Sequence, residues 1–118
     1  VRVQSPLRLD ENSEPQPDLL LLQGPWQRYK EAHPGPADVF LLIEVADTSL
    51  LYDRQTKLPL YARSGIPEVW ILNVSQRQLE VYRQPGPHGY ASTETHRSGM
   101  VAPAAFPDAL VDVGELVS

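Results

Sequence analysis

The clearest pattern in the chain is the run Val39 to Val45, apolar at every position except Glu44. A short apolar run without alternation predicts a strand covered on both faces, as in the middle of a sheet flanked by helices. Glu68 to Val74 predicts a second strongly apolar strand of this kind. Leu19 to Leu22 predicts a short buried strand. Its leucines suit a helix by propensity, but Pro17 before them and Gly24-Pro25 after them leave too little length for one. Gln78 to Arg83 alternates, with Leu79 and Val81 set against Glu80 and Tyr82. It therefore pairs with Glu68–Val74 as a hairpin across the turn-like residues 73–78.

Weaker patterns fill the rest. Val1 to Leu9 alternates through Val1, Val3, Leu7 and Leu9 and predicts an edge strand broken at Pro6. Asp10 to Pro17 and Pro25 to Ala37 are proline-bearing loops, the second with an amphiphilic turn at Trp26–Tyr29. Pro85 to Gly89 is another loop, and Tyr90 to Arg97 suits an exposed strand. Residues 104–117 hold short apolar patches around Leu110-Val111 and Leu116, which predict a final strand or turn.

Between the two strongest strands, residues from Thr48 to about Ser64 show helical spacing. Leu51, Leu58 and Ala62 lie on one row and Leu50, Lys57 and Tyr61 on its neighbour. Gly65-Ile66-Pro67 is the expected stop, with glycine in the left-handed cap and proline preventing continuation. Pro59 opposes a continuous helix, at a cost of about 3 kcal/mol in a helix interior. The helix is therefore expected to kink there, or its regular part to start near Lys57.

The 118 residues suffice for one domain with a single core, and 42% are apolar, which excludes a disordered chain. The 12 prolines fall mainly between the apolar runs and stiffen the loops. The sequence contains no cysteine, which excludes disulfides and thiolate metal sites and fits a reducing compartment, so a cytoplasmic location is expected. No apolar run approaches the roughly 18 residues of a membrane span. The first residues do not resemble a signal peptide and lack an initiator methionine, which leads us to expect a trimmed or N-terminally incomplete domain. The net charge of −5 argues against coating nucleic acid through a broad basic surface. An enzyme that meets a phosphodiester through metal ions is still compatible with that charge.

Glu44 carries the candidate chemistry, because a buried carboxylate is costly unless paired or bound to metal. Asp18 opens one buried strand and Glu44 lies late in another. Antiparallel pairing of the two would let their carboxylates converge on one face. Such an oxygen-rich pair suits Mg²⁺ or Mn²⁺, completed by water and substrate phosphate. A lysine nearby would orient or deprotonate the attacking water, or neutralise developing charge. Lys57 is the leading candidate, since its helix follows Glu44 directly.

Plainer roles stand beside these. Asp18 could cap its strand, Glu44 could pair with Arg54 or Arg63, and Lys57 could simply face solvent. Asp53 reads as a helix N-cap and Asp47 as a turn residue with Thr48-Ser49. Tyr61 and Trp70 read as core. Arg28 and Lys30 are most simply a solvated face, with DNA contact as the alternative. His33, His88 and His96 lack zinc spacing. Ser49 lacks a nucleophile elbow, and the sequence has no glycine-rich phosphate loop.

Pro17-Asp18, then Leu42-Ile43-Glu44-Val45, then the stretch Tyr52-Asp53-Arg54 through Lys57-Leu58-Pro59-Leu60-Tyr61-Ala62-Arg63 to Gly65-Ile66-Pro67-Glu68-Val69-Trp70 together resemble the Uma2 family of restriction endonucleases. That family belongs to the PD-(D/E)XK nuclease superfamily. The resemblance runs from about Pro17 to Tyr82 and returns at Phe106–Leu116. It implies an α/β fold, a restriction-endonuclease-like mixed β-sheet with a flanking helix, bearing a metal-dependent phosphodiesterase site. By position it assigns Asp18 and Glu44 to the metal. The superfamily lysine is expected two residues after the second acid, where this chain has Ala46; the resemblance moves that role to Lys57. Similar sequences also carry proline at the place of Pro59. Two departures are the missing N-terminal helical segment and Asn73, which stands where aspartate is common.

Two functions follow as expectations. The first is a Mg²⁺- or Mn²⁺-dependent endonuclease acting on DNA, with Asp18 and Glu44 as metal ligands and Lys57 as the catalytic aid. The second is a catalytically inactive binding or assembly domain of the same fold. A homodimer is expected in either case, through core surface left exposed by a shortened chain.

Overall fold

The computed structural model describes residues 2–3, 17–24 and 34–117. The strands are β1 (Arg2–Val3), β2 (Leu19–Leu22), β3 (Val39–Ala46), β4 (Glu68–Asn73), β5 (Gln78–Pro85), β6 (Tyr90–His96), β7 (Met100–Val101) and β8 (Val111–Asp112). The helices are α1 (Thr48–Thr56), α2 (Leu58–Arg63) and α3 (Val113–Leu116). Most of the expected edge strand, the loop of residues 10–16, the Trp26–Tyr29 turn, Arg28, Lys30 and His33 lie outside the described residues.

Six strands form one sheet in the order β1-β2-β3-β4-β5-β6, while β7 and β8 make a separate small ribbon. β3 and β4 run parallel, and the other neighbouring pairs of the large sheet are antiparallel. Parallel pairing requires a crossover, and α1 and α2 supply it. The result is the expected α/β mixed sheet with a flanking helical layer.

Each face of the sheet has its own core. On one, Leu20, Leu42, Ala46, Val69 and Ile71 pack against Tyr61 and Ile66, with Leu51 and Leu58 at the margin. On the other, Leu41, Trp70, Leu79 and Val81 pack against Val101 and Val113 of the C-terminal arm. This double cover explains why β3 and β4 are apolar without alternation. Met100–Val101, unpredicted as a strand, pairs with Val111–Asp112 and so builds the second cover.

The crossover decides between the two expectations at Pro59, with a regular helix starting just after Lys57, and corrects the one at Asp53. The helix from Thr48 to Ser64 is two helices with Lys57 at the break, and Pro59 falls in the first turn of α2. A proline there removes an N–H that has no helical partner, so the cost of an interior proline does not arise. Asp53 is an exposed residue inside α1, not a cap. Asp47 takes that position, with Oδ1 accepting from Ser49 N at 2.9 Å. The helix stop forms as expected: Gly65 has φ +84°, Gly65 N donates to Ala62 O and Ile66 N donates to Tyr61 O.

Candidate active site

The sheet places Asp18 and Glu44 side by side. Leu19 pairs with Ile43, so Asp18, one residue earlier in an antiparallel partner, is level with Glu44. Asp18 Oδ2 accepts the Val45 N–H at 2.7 Å, continuing the β2–β3 ladder through a side chain. Glu44 points to the helical face and is 0% exposed, whereas the Asp18 side chain is 25% exposed.

Three side chains of the crossover meet this pair. Arg54, in α1, sets its guanidinium between the two carboxylates, with Nε 3.3 Å from Glu44 Oε2 and Nη2 3.8 Å from Asp18 Oδ2. The same Nε donates to Val45 O at 3.5 Å, the long limit of a hydrogen bond. Tyr61, in the first turn of α2, donates its hydroxyl to Glu44 Oε1 at 2.8 Å. Lys57 sits at the helix break, half-buried, and its side chain makes no hydrogen bond or ion pair among the described residues. Its charge is nevertheless close enough to act on the Glu44 carboxyl.

Burial pushes the Glu44 carboxyl above its ordinary range, and Asp18 adds to that; the Tyr61 hydrogen bond and the charges of Arg54 and Lys57 oppose it. Burial, with Glu44 beside it, also drives the Tyr61 phenol far up, so Tyr61 stays a neutral donor. Glu44 Oε2 is left buried without a hydrogen bond. Buried carboxylate oxygens are rarely left in that state.

The donor set suits a small divalent cation. Asp18 Oδ2, Glu44 Oε2 and the Val45 carbonyl are all oxygens and all surround one cationic group, Arg54. Mg²⁺ is commonly held by one or two carboxylates with waters making up its shell. Glu44 Oε2, which faces the Arg54 guanidinium without a hydrogen bond, is the atom such an ion would satisfy. Among the described residues, no group of three or more His, Cys, Asp or Glu gathers at a possible metal position.

The structure thus brings together Asp18, Glu44 and the Lys57 position singled out in the sequence. His88 lies on an exposed loop and His96 at the far edge of β6, 3.9 Å from Glu94. Arg63 is exposed, so Arg54 is the arginine that pairs with Glu44. Two features escaped the sequence reading: the contact of Arg54 with both carboxylates, and the Tyr61 hydroxyl. A signal existed for both, since Arg54, Lys57 and Tyr61 are spaced by three and four residues, as on one helical face. Also missed was a second buried acid on the same face, Glu80, 5% exposed. Its Oε1 accepts from Tyr82 and Gln55, and its Oε2 from Asn73 and Gln78.

Comparisons with known proteins agree with this architecture. The family model Uma2, described as "Putative restriction endonuclease", matches residues 1–114. A solved structure from Anabaena variabilis ATCC 29413, described as a putative nuclease belonging to DUF820, superposes with a TM-score of 0.71 at 14% identity. The alignment covers 98% of this chain and 66% of that one, so the chain spans just under two thirds of its length. No curated protein matches the sequence.

Proposed function

The chain belongs to the Uma2 family, and from that membership we propose that it is a metal-dependent endonuclease hydrolysing DNA phosphodiester bonds. The observation that carries the reading is the convergence of Asp18 Oδ2, Glu44 Oε2, which has no hydrogen bond, and the Val45 carbonyl on one cationic position. Nuclease chemistry fits the family description and the description of the solved relative.

In this reading Asp18 and Glu44 hold Mg²⁺ or Mn²⁺. When bound, the ion supplies Lewis acidity at the phosphate and lowers the pKa of an attacking water. Tyr61 fixes Glu44 by binding Oε1, which turns Oε2 toward the ligand position. Asp18 is locked in orientation by the Val45 N–H. Lys57, its side chain unpaired among the described residues, orients the water or offsets charge that develops on the phosphate. The net charge of −5 argues against substrate approach through a broad basic surface.

The reading takes residues 1–118 as one restriction-endonuclease-like domain, DNA as the substrate, a cytoplasmic location and a homodimer. No described helix is long and apolar enough to cross a membrane. Light scattering checks the dimer.

A second reading, a non-catalytic binding or assembly domain, draws on one observation: the guanidinium of Arg54 already lies between the carboxylates. Calorimetric titration with Mn²⁺ of the wild type beside Glu44→Ala separates the two. Binding that disappears in the variant supports the metal site and leads to a plasmid-cleavage assay. No binding by the wild type leaves the non-catalytic domain.

A further inference from the structure

We propose that Arg54 is a built-in countercation: its guanidinium occupies the cation position between Asp18 and Glu44, and a divalent ion enters only when it withdraws. This inference rests on the metal-site reading above and adds a control on when that site is loaded.

Several features of Arg54 point the same way. Its contacts to Asp18 Oδ2, Glu44 Oε2 and Val45 O measure 3.8, 3.3 and 3.5 Å. A close charge-assisted hydrogen bond is about 2.7–2.9 Å, and the Arg83–Glu68 pair of this protein reaches it at 2.9 Å. Arg54 therefore touches three oxygens and binds none of them tightly. Glu44 Oε2 remains without a hydrogen bond although the guanidinium is beside it. The Arg54 side chain is 18% exposed, so it sits at the solvent margin of a site whose inner carboxylate is fully buried. Its withdrawal needs no opening of the core.

Charge makes withdrawal obligatory. A guanidinium and a divalent ion at one position repel each other strongly in a partly desolvated site. A lysine could shed a proton to make room, but arginine stays charged in proteins. Arg54 must therefore move. The apparent metal affinity is then reduced by the fraction of molecules in which the position is closed.

The test is calorimetric titration of the metal-free protein with Mn²⁺, comparing wild type, Arg54→Gln, Lys57→Gln and Glu44→Gln at one ionic strength. Arg54→Gln is expected to bind about tenfold more tightly than wild type, the scale of one charged contact relieved. Lys57→Gln removes the same charge without emptying the position, and is expected to gain less than about threefold. Equal gains in both variants would show long-range charge alone and overturn the inference. Unchanged or weaker binding by Arg54→Gln, with wild-type binding abolished in Glu44→Gln, overturns the inference while the metal site stands. Failure of wild type and Arg54→Gln alike to bind overturns both. Should Arg54→Gln not fold, the arginine Nε–H resonances of the wild type decide: the Arg54 signal shifts on adding Mg²⁺ if the guanidinium is displaced, and an unmoved signal at saturation overturns the inference.

Discussion

Glu44 and Glu80 lie in one cross-strand row, joined through Ile71, and both are buried on the helical face of the sheet. Their surroundings differ in kind. Glu80 has a neutral donor set that fills both oxygens, from Tyr82, Gln55, Asn73 and Gln78. Burial alone would push its carboxyl up, but these hydrogen bonds together outweigh burial and hold it below the ordinary value. Glu44 has one good hydrogen bond, one oxygen without any, and a net upward displacement caused first by burial. On the opposite face, buried Glu68 is satisfied as fully as Glu80, by Trp70 Nε1, Arg83 Nε and the Ala104 N–H. Burial of an acid therefore does not separate these three residues; the completeness of their hydrogen bonding does. Glu80 ties α1 to the hairpin, and Glu68 ties the C-terminal arm to the sheet. Glu44 keeps one oxygen that meets the Arg54 guanidinium at 3.3 Å without a hydrogen bond.

Substitutions at these acids should rank in one order for stability and the reverse order for metal. Glu68→Ala leaves Arg83 Nε, Trp70 Nε1 and the Ala104 N–H without their acceptor. It is expected to cost about 3–5 kcal/mol in urea unfolding and to leave Mn²⁺ affinity unchanged. Glu80→Gln turns an amide N–H₂ toward donors and should cost about 2 kcal/mol, again with Mn²⁺ binding intact. Its effect is also pH-dependent. Because the folded carboxyl lies below its ordinary 4.5, its contribution is present above that value and is lost as pH falls through the folded one. The gap in urea midpoint between wild type and Glu80→Gln should therefore close on acidification, and a gap that stays constant from neutral to acid pH would contradict a lowered Glu80 pKa.

Smaller stability effects belong to the other acid. Tyr61→Phe removes the hydrogen bond on Glu44 Oε1, at a cost of about 1 kcal/mol, and should weaken Mn²⁺ binding several-fold by loosening the carboxylate. Glu44→Gln should unfold within about 1 kcal/mol of wild type, since it also removes an incompletely paired buried charge, yet it should bind no Mn²⁺. A large stability loss in Glu44→Gln with metal affinity preserved would place Glu44 with Glu68 and Glu80 as a structural acid.

Much of this contrast was visible in the chain. An acid inside the apolar run Val39–Val45 is conspicuous because hydrophobicity is a local property, read residue by residue. Asp18 beside Pro17 gained meaning only from a strand on the far side of a loop, and its placement needed the antiparallel register. Glu80 looked like an ordinary polar position of an alternating strand. It is buried because α1 lies over that face and brings Gln55 to it.

By itself the sequence determined the apolar strands, the helix stop at Gly65-Ile66-Pro67 and the out-of-place acid at Glu44, because periodicity, backbone restriction and burial preference act over a few residues. The tertiary structure alone decided that Met100–Val101 and Val111–Asp112 close the second face, and that Arg54 reaches both Asp18 and Glu44 while Tyr61 takes one oxygen of the latter. Those outcomes depend on register and on how the helices lie across the sheet. They are set by packing among residues distant in the chain, which no local pattern encodes.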